Sequence, residues 1–250
     1  MSEPVILSLE TATLAGSVWL GCGDVELTSR TGDPDVSQST SLLNDIHEIL
    51  SEAGVKLVDV DLFCCANGPG SFTGLRIGIA TLKGLAAPLK KACVGIPTLA
   101  AVAHAGGPGD AIVALLPAGR GEVFVQLFSV SADGKVKELD SAAHLSPARM
   151  LERYAGMKKL KWAGPGAILH RGLIEQHARE VVIPFSDGTE PLPEAAEHQL
   201  WELIAVEPNL ARHVALLALQ AHAANKIQSP GSLSAIYVRP SDAELNQKCQ

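Results

Sequence analysis

The stretch Asn67-Gly68-Pro69-Gly70-Ser71-Phe72-Thr73-Gly74-Leu75-Arg76-Ile77-Gly78 sets the tightest limit on what this chain can become. It follows an apolar run, Asp61–Ala66, that reads as a strand, and it opens a helix expected from about Phe72 to Ala87. Proline between two glycines must end the strand. Ser71 or Thr73 can accept hydrogen bonds from the first helical amides. Strand, glycine-rich loop and helix together form the arrangement with which many chains cradle phosphate, because free amides and the helix dipole favour an anion. No Gly-Lys-Ser/Thr follows, so this is not a Walker loop. Pro69 stands where a G-x-S-x-G elbow needs glycine, which excludes that motif too.

The helix keeps glycines in its interior. Gly74 and Gly78 share a face, and Ala80 and Gly84 repeat the spacing. Each interior glycine costs about 1 kcal/mol relative to alanine, so something must come close. Two readings stand on the residues alone: tight packing on the helix's own sheet, or an approach surface for a partner helix or a nucleotide.

Around this segment, strand and helix signals alternate, which points to α/β layering. Val5–Leu9, Gly16–Leu20 and Asp24–Thr28 read as three strands joined by short turns. Leu42, Leu43, Ile46, Ile49 and Leu50 recur at helical spacing, with Asp35 or Ser37 as a cap and Gly54 as the stop. His104-Ala105-Gly106-Gly107-Pro108-Gly109 is the clearest domain boundary. Beyond it, Val123–Val130 is expected to pair with Ala111–Leu116, and Leu160–Ala163 to form a short strand. Helices are expected over Pro147–Tyr154, Leu169–Ala178, Ala195–Ala205 and Ala211–Asn225, then a strand at Ala235–Val238 and an exposed tail.

Composition narrows function. Of 250 residues, 47% are hydrophobic, enough for a sizeable core, and a net charge of −7 argues against holding nucleic acid by phosphate neutralisation alone. Five cysteines without a C-x-x-C pair argue against a disulfide scaffold or zinc site and for a reducing compartment. No secretory signal is read at the N-terminus, and no apolar run of about 18 residues occurs, so a cytoplasmic protein without membrane contact is expected. The eight histidines include no H-x-x-x-H or H-x-x-H pair. His170 and His177 fit a solvated face better than a metal site. Glu10, at the end of the first strand, is a plausible site carboxylate. Arg76 and Glu122 read equally as anion contacts or as partners of ordinary surface charges.

The string Gly68–Gly78 resembles the signature of the bacterial TsaB family, also called YeaZ. Leu7-Ser8-Leu9-Glu10-Thr11-Ala12-Thr13, Gly121-Glu122-Val123-Phe124 and Ile236-Tyr237-Val238-Arg239-Pro240 are similar to further family positions. The resemblance implies an α/β actin-like ATPase fold of the sugar kinase/Hsp70 superfamily, with two lobes of mixed sheets flanked by helices. The N-terminal lobe would span residues 1–107, completed by about 211–240; the second lobe 108–210; and a mobile tail 241–250. It also implies a non-catalytic scaffold for threonylcarbamoyl transfer to the adenosine beside the tRNA anticodon. The catalytic TsaD subunit holds the metal, a TsaE-type ATPase joins the pair, and tRNA is reached only through the complex. No residue here would be catalytic or bind metal.

Leu42, Leu43, Ile46, Ser71, Phe72, Gly74, Arg76 and Gly78 would form the partner interface, and the same helices would form a homodimer when the chain is alone. Glu10, Thr11, Gly70 and Ser71 are the candidates for contacting a nucleotide. The chain alone is expected to bind no cofactor, with ATP or ADP at the partner interface. The competing reading is a stand-alone ATPase or kinase, or a glycoprotease-like peptidase. Gln38 stands where the family usually has histidine, Pro117-Ala118-Gly119 where it has an acidic-Ala-Arg motif, Glu10 where Asp is usual, and Thr11 where active ATPases prefer glycine. These departures count against a nucleotide role for this chain alone.

Overall fold

Nearly every residue of Val5–Glu10 is buried, as a strand covered on both faces requires. In the computed structural model, which describes residues 3–36, 38–189 and 198–239, this is β1, the centre of a five-stranded sheet. β2 (Ser17–Cys22) and β3 (Val25–Thr31) form an antiparallel meander with it; β4 (Leu62–Ala66) and β5 (Ala92–Ile96) run parallel to it. The order is β3-β2-β1-β4-β5. Parallel neighbours need long crossovers, and α1 (Gln38–Glu52) and α2 (Phe72–Leu89) supply them.

Side-chain alternation along β1 sorts the layers. Leu7 and Leu9 join Ile46 and Ile49 of α1 and Ile79 and Leu82 of α2 in one core. Ile49 and Leu82 are fully buried, worth roughly 1.5–3 kcal/mol each. On the other face, Ser8 donates to the carbonyl of Ala211, 2.7 Å away, at the start of α7 (Leu210–Ala223). The apolar face of α7, with Val214, Ala215 and Ala218 buried, covers that side. Four helices stop in the same way. A left-handed residue ends each of them, at Gly54, Lys90, Val182 and Asn225, and two backbone bonds close each end.

The chain forms two units, Met1–Ala101 with Pro208–Gln250, and Val102–Glu207. The division falls inside α3 (Thr98–Ala105), a little before the glycine-rich stretch that punctuates the sequence; helix continuity outweighs glycine content there. The second unit repeats the plan of the first. β6 (Gly109–Gly119), β7 (Glu122–Val130) and β8 (Val136–Glu138) form a meander, with β9 (Ala143–Leu145) also on β7. After α4 (Pro147–Tyr154), β10 (Lys159–Ala163) runs parallel to β6. After α5 (Pro165–Leu169) and α6 (Arg171–Glu180), β11 (Phe185–Ser186) and β12 (Leu200–Ile204) extend the sheet.

The order is β11-β12-β10-β6-β7-β8. Its fourth strand in plan, β10, also ends in a Gly-Pro-Gly turn, Gly164-Pro165-Gly166. There a Cβ on Gly166 would stand 2.9 Å from the Leu115 carbonyl carbon within β6. Two units of meander, helix, strand, helix and strand make this the actin-like ATPase fold.

Two expectations fail. The helix over 195–205 is instead strand β12 where the structure describes it, because pairing with β10 recruits the short apolar run. Ala235–Val238 is not a strand; Ala235 packs on the first core, and Ile236 is tied to Asn67 rather than to a ladder. The expected tail at 241–250 lies outside the described residues.

Candidate functional site

The site begins where β1 runs out. Glu10 is fully buried, and its carboxylate closes the turn that follows. One oxygen accepts from the amides of Ala12 (2.5 Å) and Thr13 (2.7 Å), and the other from the Thr13 hydroxyl (2.6 Å). Burial pushes the Glu10 carboxyl above its ordinary range, with these three hydrogen bonds pulling the other way.

The glycine-rich loop lies down on that turn. The Ser71 amide donates to the Ala12 carbonyl at 2.8 Å, and a Cβ on Gly70 would stand 2.6 Å from the Ala12 Cβ. The Ser71 hydroxyl caps α2 by accepting from the Gly74 amide at 3.2 Å. A Cβ on Gly74 would overlap the Thr11 carbonyl oxygen, and one on Gly78 would overlap the Thr11 hydroxyl. Of the two readings of these glycines, packing on the chain's own first turn is the one realised. Gly84 is different: nothing lies within 4 Å of its missing Cβ.

Two more elements close the cluster. Gln38, the first residue of α1, donates its side-chain amide to the carbonyls of Thr13 (2.8 Å) and Leu14 (3.3 Å). The C-terminal segment crosses the loop, with the Ile236 amide on the Asn67 carbonyl at 2.7 Å and its backbone against Gly68, where the left-handed φ of +117° and the close carbonyl both demand glycine. Tyr237 lies on Phe72, ring centroids 5.2 Å apart, and the Arg76 guanidinium sits 3.9 Å from the Phe72 centroid.

The structure thus gathers Glu10, Thr11, Gly70, Ser71, Gly74 and Gly78 into one cluster, but turns most of them inward. Thr11 is buried with its carbonyl and hydroxyl against α2, and Glu10 and Gly70 are spent on the turn. Of the residues proposed from sequence to meet a nucleotide, Glu10, Thr11 and Gly70 are thus engaged by the chain's own turn, while Ser71 is exposed. Leu42 and Ile46 face the core rather than a surface, and Gly74 and Gly78 are covered. Leu43 points outward with 62% exposure, and Ser71 and Arg76 are exposed, with Phe72 half-buried.

Sequence reasoning singled out neither Ala12 nor Tyr237 as a site residue, and it noted Gln38 only as a departure. Ala12, beside the quoted Glu10-Thr11 pair, was the available signal. Elsewhere, His144 lies 2.9 Å from Glu122, while His170 sits at the α5–α6 junction and His177 stacks on Trp201 and pairs with Glu180. Among the described residues no three of His, Cys, Asp and Glu converge as metal ligands.

Residues 37–226 match the model of the family described as TsaD, tRNA N6-adenosine threonylcarbamoyltransferase. The chain is 30% identical over 151 residues to the tRNA threonylcarbamoyladenosine biosynthesis protein TsaB of Escherichia coli (strain K12), covering 59% of this chain and 65% of that one. It is 33% identical over 130 residues to the protein of the same name from Haemophilus influenzae, covering 50% and 53%. The chain thus spans less than two thirds of the length of either curated relative. YeaZ from Pseudomonas aeruginosa superposes with a TM-score of 0.70 at 25% identity, covering 94% of this chain and 99% of that one. The family match over most of the chain, together with the fold and the signature loop, means that it belongs to the TsaD family and, within it, to the TsaB/YeaZ group.

Proposed function

We propose that this chain is a non-catalytic scaffold in the biosynthesis of threonylcarbamoyladenosine in tRNA, acting by binding a TsaD-type catalytic subunit. The observation that carries the reading is the filled loop: Glu10, Thr11, Gly70 and Gly74 are consumed in holding the first turn against α2. What remains outward is a helix surface. On α2, Thr73, Arg76, Ala80, Gly84 and Ala87 are exposed at three- and four-residue spacing. Small residues there let another helix come close, and the helix carries Arg76 and Lys83 with no acid. Leu43 adds an exposed apolar anchor from α1. Ser71 and Phe72 border this surface.

In this reading a TsaE-type ATPase joins the pair, tRNA is met only by the assembled complex, and any adenine nucleotide is held with the partner rather than in this loop. Four cysteines without disulfides among the described residues fit a cytoplasmic setting. No helix among those residues is long and apolar enough to cross a membrane.

Gly84→Leu tests the surface, because a side chain there meets open space and the fold should tolerate it. Titration calorimetry with a purified TsaD-type subunit should show affinity falling at least about tenfold, with a melting temperature no lower than that of the wild type. Unchanged affinity would overturn the surface assignment. Turnover of ATP or peptide by the chain alone would favour a stand-alone enzyme. Light scattering across a dilution series reads the homodimer, which Gly84→Leu should also weaken if it uses the same face.

A further inference from the structure

Glu10 is the one carboxylate that is fully buried, and no Lys, Arg or His pairs with it among the described residues. Such a group costs free energy to bury unless hydrogen bonds hold it, so what it holds is informative. It holds only amides and a hydroxyl of its own turn, those of Ala12 and Thr13. The outward-facing atoms of the same two residues are the ones that receive the helices. The Ala12 carbonyl accepts the Ser71 amide at 2.8 Å, where α2 begins. The Thr13 carbonyl accepts the Gln38 side chain at 2.8 Å, where α1 begins. Between them, Thr11 is wedged against Gly74 and Gly78. α1 and α2 are separated in sequence by β4, yet both N-terminal ends hang from one short turn.

We infer that Glu10 is a positioning residue: by pinning the amides of Ala12 and Thr13, its carboxylate aims their carbonyls at Ser71 and Gln38 and so fixes the starts of α2 and α1 relative to each other. It reaches no surface itself. Insofar as the outer faces of α1 and α2 meet a protein partner, which rests on the function proposed above, Glu10 tunes that affinity from inside. The same bracket accounts for Gln38, since an amide side chain can donate to two carbonyls at once.

Glu10→Gln keeps the shape but removes the charge and one acceptor oxygen, whereas Glu10→Asp keeps a carboxylate able to accept from the amides two and three residues on. Hydrogen exchange on the isolated chain reads the bracket directly. In Glu10→Gln the amides of Ser71 and Gly74 should exchange at least about tenfold faster, as expected when a charge-assisted network is lost, and the Gln38 side-chain resonances should shift. Glu10→Asp should stay near wild type.

A control, Ala218→Gly in α7 on the opposite face of the sheet, lowers stability without touching the turn, and should leave Ser71 and Gly74 as protected relative to β1 as in wild type. Unchanged exchange at Ser71 and Gly74 in Glu10→Gln would overturn the inference. With a TsaD-type subunit, Glu10→Gln should bind more weakly than Ala218→Gly. Equal binding beside a loosened Ser71 amide would overturn the link to affinity. Failure of wild type to bind at all would overturn the partner reading alone, leaving the exchange result to decide the bracket.

Discussion

Gly74→Ala and Gly84→Ala make the same chemical change in one helix and should have opposite effects. A Cβ on Gly74 would overlap the Thr11 carbonyl oxygen and stand 3.1 Å from both the Thr11 carbonyl carbon and Gln38 Oε1. That oxygen is backbone held by the Glu10 bonds, so it cannot rotate away. Overpacking a tight site costs about 1–3 kcal/mol, and a backbone obstacle belongs at the upper end. Alanine returns at most about 1 kcal/mol through helix propensity, leaving a net loss near 2 kcal/mol. At Gly84 a Cβ meets nothing within 4 Å, so propensity acts alone and the variant gains up to about 1 kcal/mol.

The two variants should therefore differ by about 3 kcal/mol. At roughly 2–4 °C per kcal/mol for a protein of this size, their Tm values should lie about 6–12 °C apart. Urea melts with a shared m-value measure the difference, and exchange of the β1 amides reports the first unit in case the two units melt separately. Equal stabilities, or Gly74→Ala above Gly84→Ala, would refute the claim that Thr11 is what makes position 74 a glycine.

Val182, with a φ of +59° and 78% exposure, is a β-branched residue in a left-handed helix stop, so Val182→Gly should raise stability by about 1 kcal/mol, measured by urea melting. Asp140 ties β7 to α4 in the second unit, accepting from the Leu127 amide (2.7 Å), the Tyr154 hydroxyl (2.9 Å) and Arg153 (2.7 Å). Asp140→Ala should cost about 2–3 kcal/mol. It should also lower the Tyr154 ionisation, which burial and then Asp140 push upward, in a spectrophotometric titration. Burial lowers the His170 pKa below 6.5, so the unfolded chain takes up that proton first and the stability is lost as pH falls below about 6.5. His170→Asn should flatten this acid-side slope in denaturant midpoints measured from pH 7.5 to 5.

The helix stops show how far local reading reaches. Gly54 is legible as a stop and Asn225 is a residue tolerant of that conformation, whereas Lys90 and Val182 occupy it only because the segments that follow are held elsewhere. Lys91 leads into β5, and Ile183 is buried in the second core. Leu200–Ile204 is too short an apolar run for periodicity to separate strand from helix, and a neighbouring strand decides it. By contrast, the first meander, α1, α2 and α7 are written in strong periodicity and caps, and they stand close to where the sequence predicts.

By itself the sequence determined the α/β layering, the strand–loop–helix at Gly68–Gly78, and the demand that something press against Gly74 and Gly78. It could not say what presses, because Thr11 lies sixty-odd residues away and only the pairing of β1 with β4 brings the two together. Nor could it separate Leu42 from its neighbour Leu43, since both fit an apolar helical stripe; the sheet's position sends one into the core and the other into solvent. Glu10 is the sharpest case. Sequence marks a carboxylate at a strand end, and the tertiary structure decides that its charge is turned inward to hold a turn, because the amides that satisfy it come from the same bend on which both helices rest.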